Sequence, residues 1–239
     1  MAGEPRHAMA NRLEGAWLDA GLHLLDRQVV DVEGQMVCNV DDLEVTETTT
    51  GELSVTGLLA GPAALVPRFS GRLGGWLRDT WVALGVQYAG RDVPLRLGLD
   101  LVESVGSEVR LRVERTGLLD RQPQPGPGVL LRRMDDLLGM RVELDGTDAG
   151  RVIDVRIEPR HAVGRLTFKS LIVGRGRPGS MLGYDRGDFN GPWLVNAAVT
   201  FLHRHTGELP IEAVQGIDWE RAVVTARGRL RPLRGAGST

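Results

Sequence analysis

The chain has 239 residues, 42% apolar and 25% charged, with a formal net charge of −2; this balance is that of a soluble globular protein and disfavours disorder except at the ends, and the length fits two domains of ordinary size or one large one. A single cysteine, Cys38, excludes an internal disulfide and any cysteine-based zinc site, and apolar runs of only a few residues, such as 171–173, exclude a membrane-spanning helix. The charge is divided unevenly: residues 1–120 carry 11 basic and 18 acidic side chains, and residues 121–239 carry 18 and 13, so the halves have opposite sign and suit docking on each other or on neighbouring copies.

Of the 29 basic residues only Lys169 is a lysine. In a net-acidic chain that arginine richness reads as coding bias, and nucleic acid is disfavoured as a partner because the chain lacks the electrostatic footprint of phosphate binding. No basic segment leading into an apolar stretch opens the chain, so a cytoplasmic location is expected.

From residue 27 the pattern is β. The segment RQVVDVEGQMVCNVDDLEV, 27–45, reads strand, glycine turn, strand, and LSVTGLLAG, 53–61, supplies a third strand ending on a glycine. An amphipathic helix is predicted next, with Phe69, Leu73, Trp76, Leu77, Trp81 and Leu84 on one stripe. After Pro94 the segments VPLRLGLDLV and EVRLRV return to alternation.

The same order recurs about 113 residues on. MRVELDGTDAGRVIDVRI, 140–157, lies over the first hairpin, matching Val29 with Val142, Gly34 with Gly146, Val40 with Val152, Asp42 with Asp154 and Val45 with Ile157. LTFKSLIVG, 166–174, matches the third strand through Leu53 with Leu166, Val55 with Phe168, Leu58 with Leu171, Leu59 with Ile172 and Gly61 with Gly174. Val152, Val155 and Ile157, separated by Asp154 and Arg156, read as a core face and a polar face. A second helix is predicted on Leu194, Ala197, Ala198, Phe201 and Leu202, followed beyond Pro210 by LPIEAVQGIDW and RAVVTAR.

Between the copies, RQPQPGPG at 121–128 is too rich in Pro and Gly for a core element and reads as a linker. The predicted organisation is a first domain at 20–118, a linker at 119–130 and a second domain at 131–234. The predicted fold class is mainly β: two tandem small antiparallel β-barrels, each with one inserted amphipathic helix.

The segment LLGMRVELDGTDAGRVIDVRIE followed by LTFKSLIVG resembles the opening strands of the PRC-barrel family, named for the cytoplasmic domain of the photosynthetic reaction centre H subunit and including the C-terminal domain of a ribosome maturation factor. The matching segments cover most of 22–60 and 137–174. Copy one departs at Cys38, where copy two has Gly150, a position the family often fills with glycine. The resemblance implies a module that docks on partner proteins rather than one that performs chemistry.

Candidate sites are few. GRGRPG at 174–179 satisfies G-x-G-x-x-G, but Pro178 stiffens the loop and the surrounding repeat is not βαβ, so a dinucleotide site is rejected; Arg175 and Arg177 remain candidates for holding an acidic partner or a phosphate, against the plainer reading of a solvated loop. His203 and His205 fall on different helix faces and do not chelate together. Asp41, Asp42, Glu44 and Glu47 cluster, yet Asp42 recurs as Asp154, which favours a scaffolding role over acid-base chemistry. Neither Ser70 nor Ser180 sits in a nucleophile elbow. No catalytic, cofactor-binding or metal-binding residue is named.

Trp76, Trp81 and Trp193 carry the most binding potential, either anchoring an interface or covering a barrel end. The expected function is a non-enzymatic adaptor or scaffold with a protein partner or a second copy as a homodimer. Two alternatives stand: an RNA or ribosome-associated assembly factor, and a cytoplasmic regulator docking peripherally on a membrane transporter or photosynthetic complex.

Overall fold

The computed structural model describes residues 11–61, 64, 94–121, 126–159, 164–175 and 206–233. Both predicted amphipathic helices, 69–84 and 194–202, lie outside the described residues. What is described is mainly β, with two four-residue α-helices.

The first copy comprises β1 (Leu18–Asp19), α1 (Ala20–His23), β2 (Gln28–Val30), β3 (Met36–Asn39), β4 (Asp42–Thr48), β5 (Leu53–Ala60), β6 (Leu95–Gly98), a 3-10 turn at Leu99–Leu101, β7 (Val102–Val105), β8 (Val109–Leu111) and β9 (Asp120–Arg121). The second comprises β10 (Val129–Arg133), α2 (Met134–Leu137), β11 (Arg141–Leu144), β12 (Thr147–Pro159), β13 (Leu166–Gly174), β14 (Gly207–Pro210), a 3-10 turn at Ile211–Ala213, β15 (Val214–Asp218), β16 (Val223–Ala226) and β17 (Arg231–Pro232). The repeat therefore reaches well beyond the segments aligned by sequence. The predicted single strand VPLRLGLDLV is in fact two strands broken by a 3-10 turn, and its partner LPIEAVQGIDW is broken in the same way.

The turn chemistry explains the hairpins. Asp145 and Gly146 both take positive φ, 50° and 79°, the twist that matches a two-residue hairpin between β11 and β12. In the first copy the Asp31 carboxylate accepts from the Glu33 and Gln35 amides at 3.0 and 2.8 Å, which shapes the turn ahead of β3.

The pairing corrects the expectation of a purely antiparallel architecture. β2 pairs in parallel with β8, and β11 in parallel with β16. In each copy the 3-10 turn redirects the chain, and the β7–β8 or β15–β16 hairpin that follows lays its second strand along β2 or β11 in the same direction.

One residue accompanies the main difference between the copies. Gly150, opposite Val142, sits at φ +123°, and a Cβ there would lie 2.6 Å from the Gly174 carbonyl oxygen. Only glycine meets both conditions, and β12 runs unbroken through it for 13 residues. Cys38 occupies the equivalent place opposite Val29; the strand there is broken between Asn39 and Asp42, and β3-β2-β8-β7 forms a separate four-stranded sheet.

Everything else joins one 13-stranded sheet whose main path is β10-β4-β5-β13-β12-β11-β16-β15. The third strands of the two copies meet, with Leu166 opposite Val55 and Thr167 opposite Ser54. The short segments that open each copy are exchanged: β1 adds to β12 of the second copy, and β10 adds to β4 of the first. A single buried apolar cluster runs from Leu18 and Val29 through Leu58 to Phe168, Leu171 and Val224, so side chains of both copies share one core.

The exchange changes the reading of β12. Asp154 and Arg156, predicted on a polar outer face, are buried at 0% and 3% exposure. There β1 of the other copy pairs along the edge of β12 and α1 packs against it.

Candidate functional site

The polar faces of β12 and β4 are where buried charge concentrates, and each is built to receive the opening segment of the opposite copy. A helix leaves its first amide N–H groups without internal partners. At α1 the Asp154 carboxylate accepts from the Gly21 and Leu22 amides at 2.7 and 3.2 Å, and also from Val155 at 2.6 Å. At α2 the Asp42 carboxylate accepts from the Asp135 amide at 3.2 Å and from Leu43 at 2.7 Å. The two aspartates recognised as a repeated pair thus cap each other's helices across the seam.

Two residues further along each strand the charges are opposite in sign. On β12, Arg156 makes a forked contact with Asp19, Nε to Oδ1 at 2.9 Å and Nη2 to Oδ2 at 3.4 Å, and its Nη1 reaches Glu208 at 3.0 Å. Glu208 is held by the Ser170 hydroxyl at 2.6 Å, and the Trp17 ring lies 3.4 Å from the Arg156 guanidinium carbon. On β4 the equivalent residue is Glu44, which accepts from Arg96 Nε at 2.9 Å and from the Thr56 hydroxyl at 2.7 Å. Arg133 stands directly opposite Glu44 in the β10–β4 register, as Asp19 stands opposite Arg156.

Titration behaviour follows from this burial. Asp42 is pushed up to about 7, first by burial and then by the neighbouring Asp135, against the pull of its amide donors and Arg133; its Oδ2 is buried without a hydrogen-bond partner. His23 in α1 accepts from the Asp19 amide through Nδ1 at 2.9 Å and is lowered to about 4 by burial, with Arg12 and Arg27 adding to the effect and Asp19 opposing it. Burial and Asp41 raise Cys38 to about 11, which keeps it a thiol rather than a nucleophile.

Of the residues singled out for binding, Trp76, Trp81, Trp193 and Arg177 lie outside the described residues. Arg175 is exposed just past the end of β13, beyond Gly174, which stands opposite the exposed Arg151. Sequence reasoning passed over a second basic feature: Arg227, Arg229 and Arg231 are all exposed on the run from β16 to β17, and among the described residues no carboxylate pairs with them. The alternation RGRLR at 227–231 was the available signal.

An open cleft of about 350 Å³ lies where the first copy meets the β12–β13 hairpin, with Leu24, Leu99 and Leu166 among its apolar lining and Asp100, Glu103 and Arg165 among its charged residues. Among the described residues, no group of three or more His, Cys, Asp or Glu side chains is arranged to hold a metal ion, and no helix is long and apolar enough to cross a membrane. No protein-family model matches the chain, and no curated protein matches it in sequence.

Proposed function

We propose that this protein is a non-catalytic scaffold made of two PRC-barrel-like units with their inserted helices, and that it binds an acidic protein partner through the arginines of its second unit. The observation that carries this reading is the contrast between charged groups. The charged side chains in the seam are mutually engaged, whereas Arg227, Arg229 and Arg231 are exposed without carboxylate partners among the described residues. Arginines presented together on the connection between two strands and at the start of the second suit forked recognition of carboxylates. Arg175 and Arg151 are also exposed in the same unit.

Capture from the native cell with the immobilised full chain tests the proposal, with the Arg227→Glu/Arg229→Glu/Arg231→Glu variant alongside. The expected result is a protein partner retained by the wild type, released by salt and lost with the variant. Retention abolished by ribonuclease would favour the RNA-associated alternative, and recovery only with membranes would favour docking on a membrane protein. Equal capture by wild type and variant would sink the role of these arginines.

A further inference from the structure

The two opening segments are close copies in shape. Each is a short strand followed by one turn of helix, and each lies on a long strand whose aspartate caps that helix. Because Asp42 and Asp154 are the same residue, the charge of the cap does not distinguish one segment from the other. A segment of either copy would find an equivalent carboxylate on its own long strand.

The position two residues on does tell them apart. The first opening segment presents Asp19 to Arg156, with Glu208 on the far side of the arginine. The second presents Arg133 opposite Glu44, with Arg96 bonded to that glutamate. All three signs are inverted between the copies. The hydroxyl donor follows the carboxylate, from Thr56 onto Glu44 in one case and from Ser170 onto Glu208 in the other.

We propose that this inversion is an address code: it directs each opening segment onto the opposite repeat and bars it from its own. In the barred arrangement Asp19 would face Glu44 and Arg133 would face Arg156, placing like charges together at positions where Asp19, Glu44 and Arg156 are almost fully buried and Arg133 is half-buried. Like-charge contact in a desolvated site is heavily penalised, whereas in the matched arrangement Asp19 and Arg156 share a forked, hydrogen-bonded contact and Arg133 stands opposite a glutamate of opposite sign. The same rule bars two chains from pairing second repeat with second repeat, since each would bring Arg133 to Arg156. The seam recognises one partner surface, the complementary repeat, and the chain supplies that repeat itself.

The test uses the full chain, with urea midpoints followed by tryptophan fluorescence and mass by light scattering after refolding. Arg156→Glu, which sets like charge against Asp19, lowers the midpoint by about 1 M or more, and further than the neutral Arg156→Gln. The triple variant Asp19→Arg/Arg156→Glu/Glu208→Arg, which writes the first repeat's signs into the second, regains most of that loss. Because both its opening segments then carry one code, it refolds with more chain-to-chain association than the wild type, increasing with protein concentration. Equal midpoints for the Glu and Gln variants would show that charge sign is not read and would overturn the proposal. A triple variant that regains nothing, or that refolds to the wild-type mass distribution, would overturn it as well.

Discussion

Asp19 and Arg156, 137 positions apart in the chain, stand opposite each other across the β1–β12 pair and share a forked ion contact in which both side chains are almost fully buried. The pair joins the entry of the first repeat to the longest strand of the second. Removing one partner of such a pair is far more damaging than the pair is stabilising, because the other charge is left in a dry site.

Arg156→Lys keeps the charge but loses the planar fork and the stack on Trp17. It is expected to lower stability by about 1–3 kcal/mol, measured by urea denaturation, with a change in tryptophan emission in the folded state. Stability within experimental error of the wild type would mean that the fork contributes nothing beyond its charge.

The two capping aspartates are not equivalent despite their shared origin. Asp154 uses both oxygens on three amides, whereas Asp42 uses one oxygen on two and leaves the other unpaired. Asp154→Ala is therefore expected to cost about 2 kcal/mol or more, and Asp42→Ala clearly less. Reversal of that order in matched denaturation curves would contradict the capping assignment.

The repeat was legible in the sequence because strand alternation and turn glycines survive in both copies: Val29 with Val142, Gly34 with Gly146, Asp42 with Asp154. The exchange was not legible, because Asp154 and Arg156 look the same in a sequence whether they face water or a segment from more than a hundred residues away. A trace of it was present. Glu44 aligns with Arg156, a reversal of sign inside the matched segment that a search for shared residues passes over, while the accompanying exchange of Arg96 for Glu208 shows only in the strand registers. The 3-10 breaks at Leu99–Leu101 and Ile211–Ala213 were hidden for a different reason: three residues of tight helix leave the surrounding alternation almost intact.

Gly150→Ala is expected to destabilise by about 2–4 kcal/mol, combining a strained φ with a contact on the Gly174 carbonyl. The same substitution at Gly146, which sits at φ +79° with nothing within 4 Å of the added methyl, should cost only the strain, about 1 kcal/mol. The difference between the two reports the close approach of β12 to β13 together with the less accessible φ at Gly150. Equal losses, read from thermal and urea unfolding, would remove that approach as the reason for glycine at 150.

Two buried groups set opposing dependences on pH. Asp42 holds its proton up to about 7 in the folded protein, so the stability it contributes is present below its ordinary value near 4 and is lost as pH rises through 7, roughly 4 kcal/mol across the window. His23 is lowered to about 4, so its contribution is present above its ordinary value near 6.5 and is lost as pH falls toward 4. Between about pH 4 and 6.5 the two trends offset each other in the wild type. Asp42→Asn removes the first, so its stability should climb with pH over that range and exceed that of the wild type at pH 8. His23→Gln, which keeps an acceptor for the Asp19 amide, removes the second, so its stability should fall steadily as pH rises to 7. Urea midpoints at several pH values check both; an Asn variant with the wild-type profile would show that Asp42 does not titrate in this range.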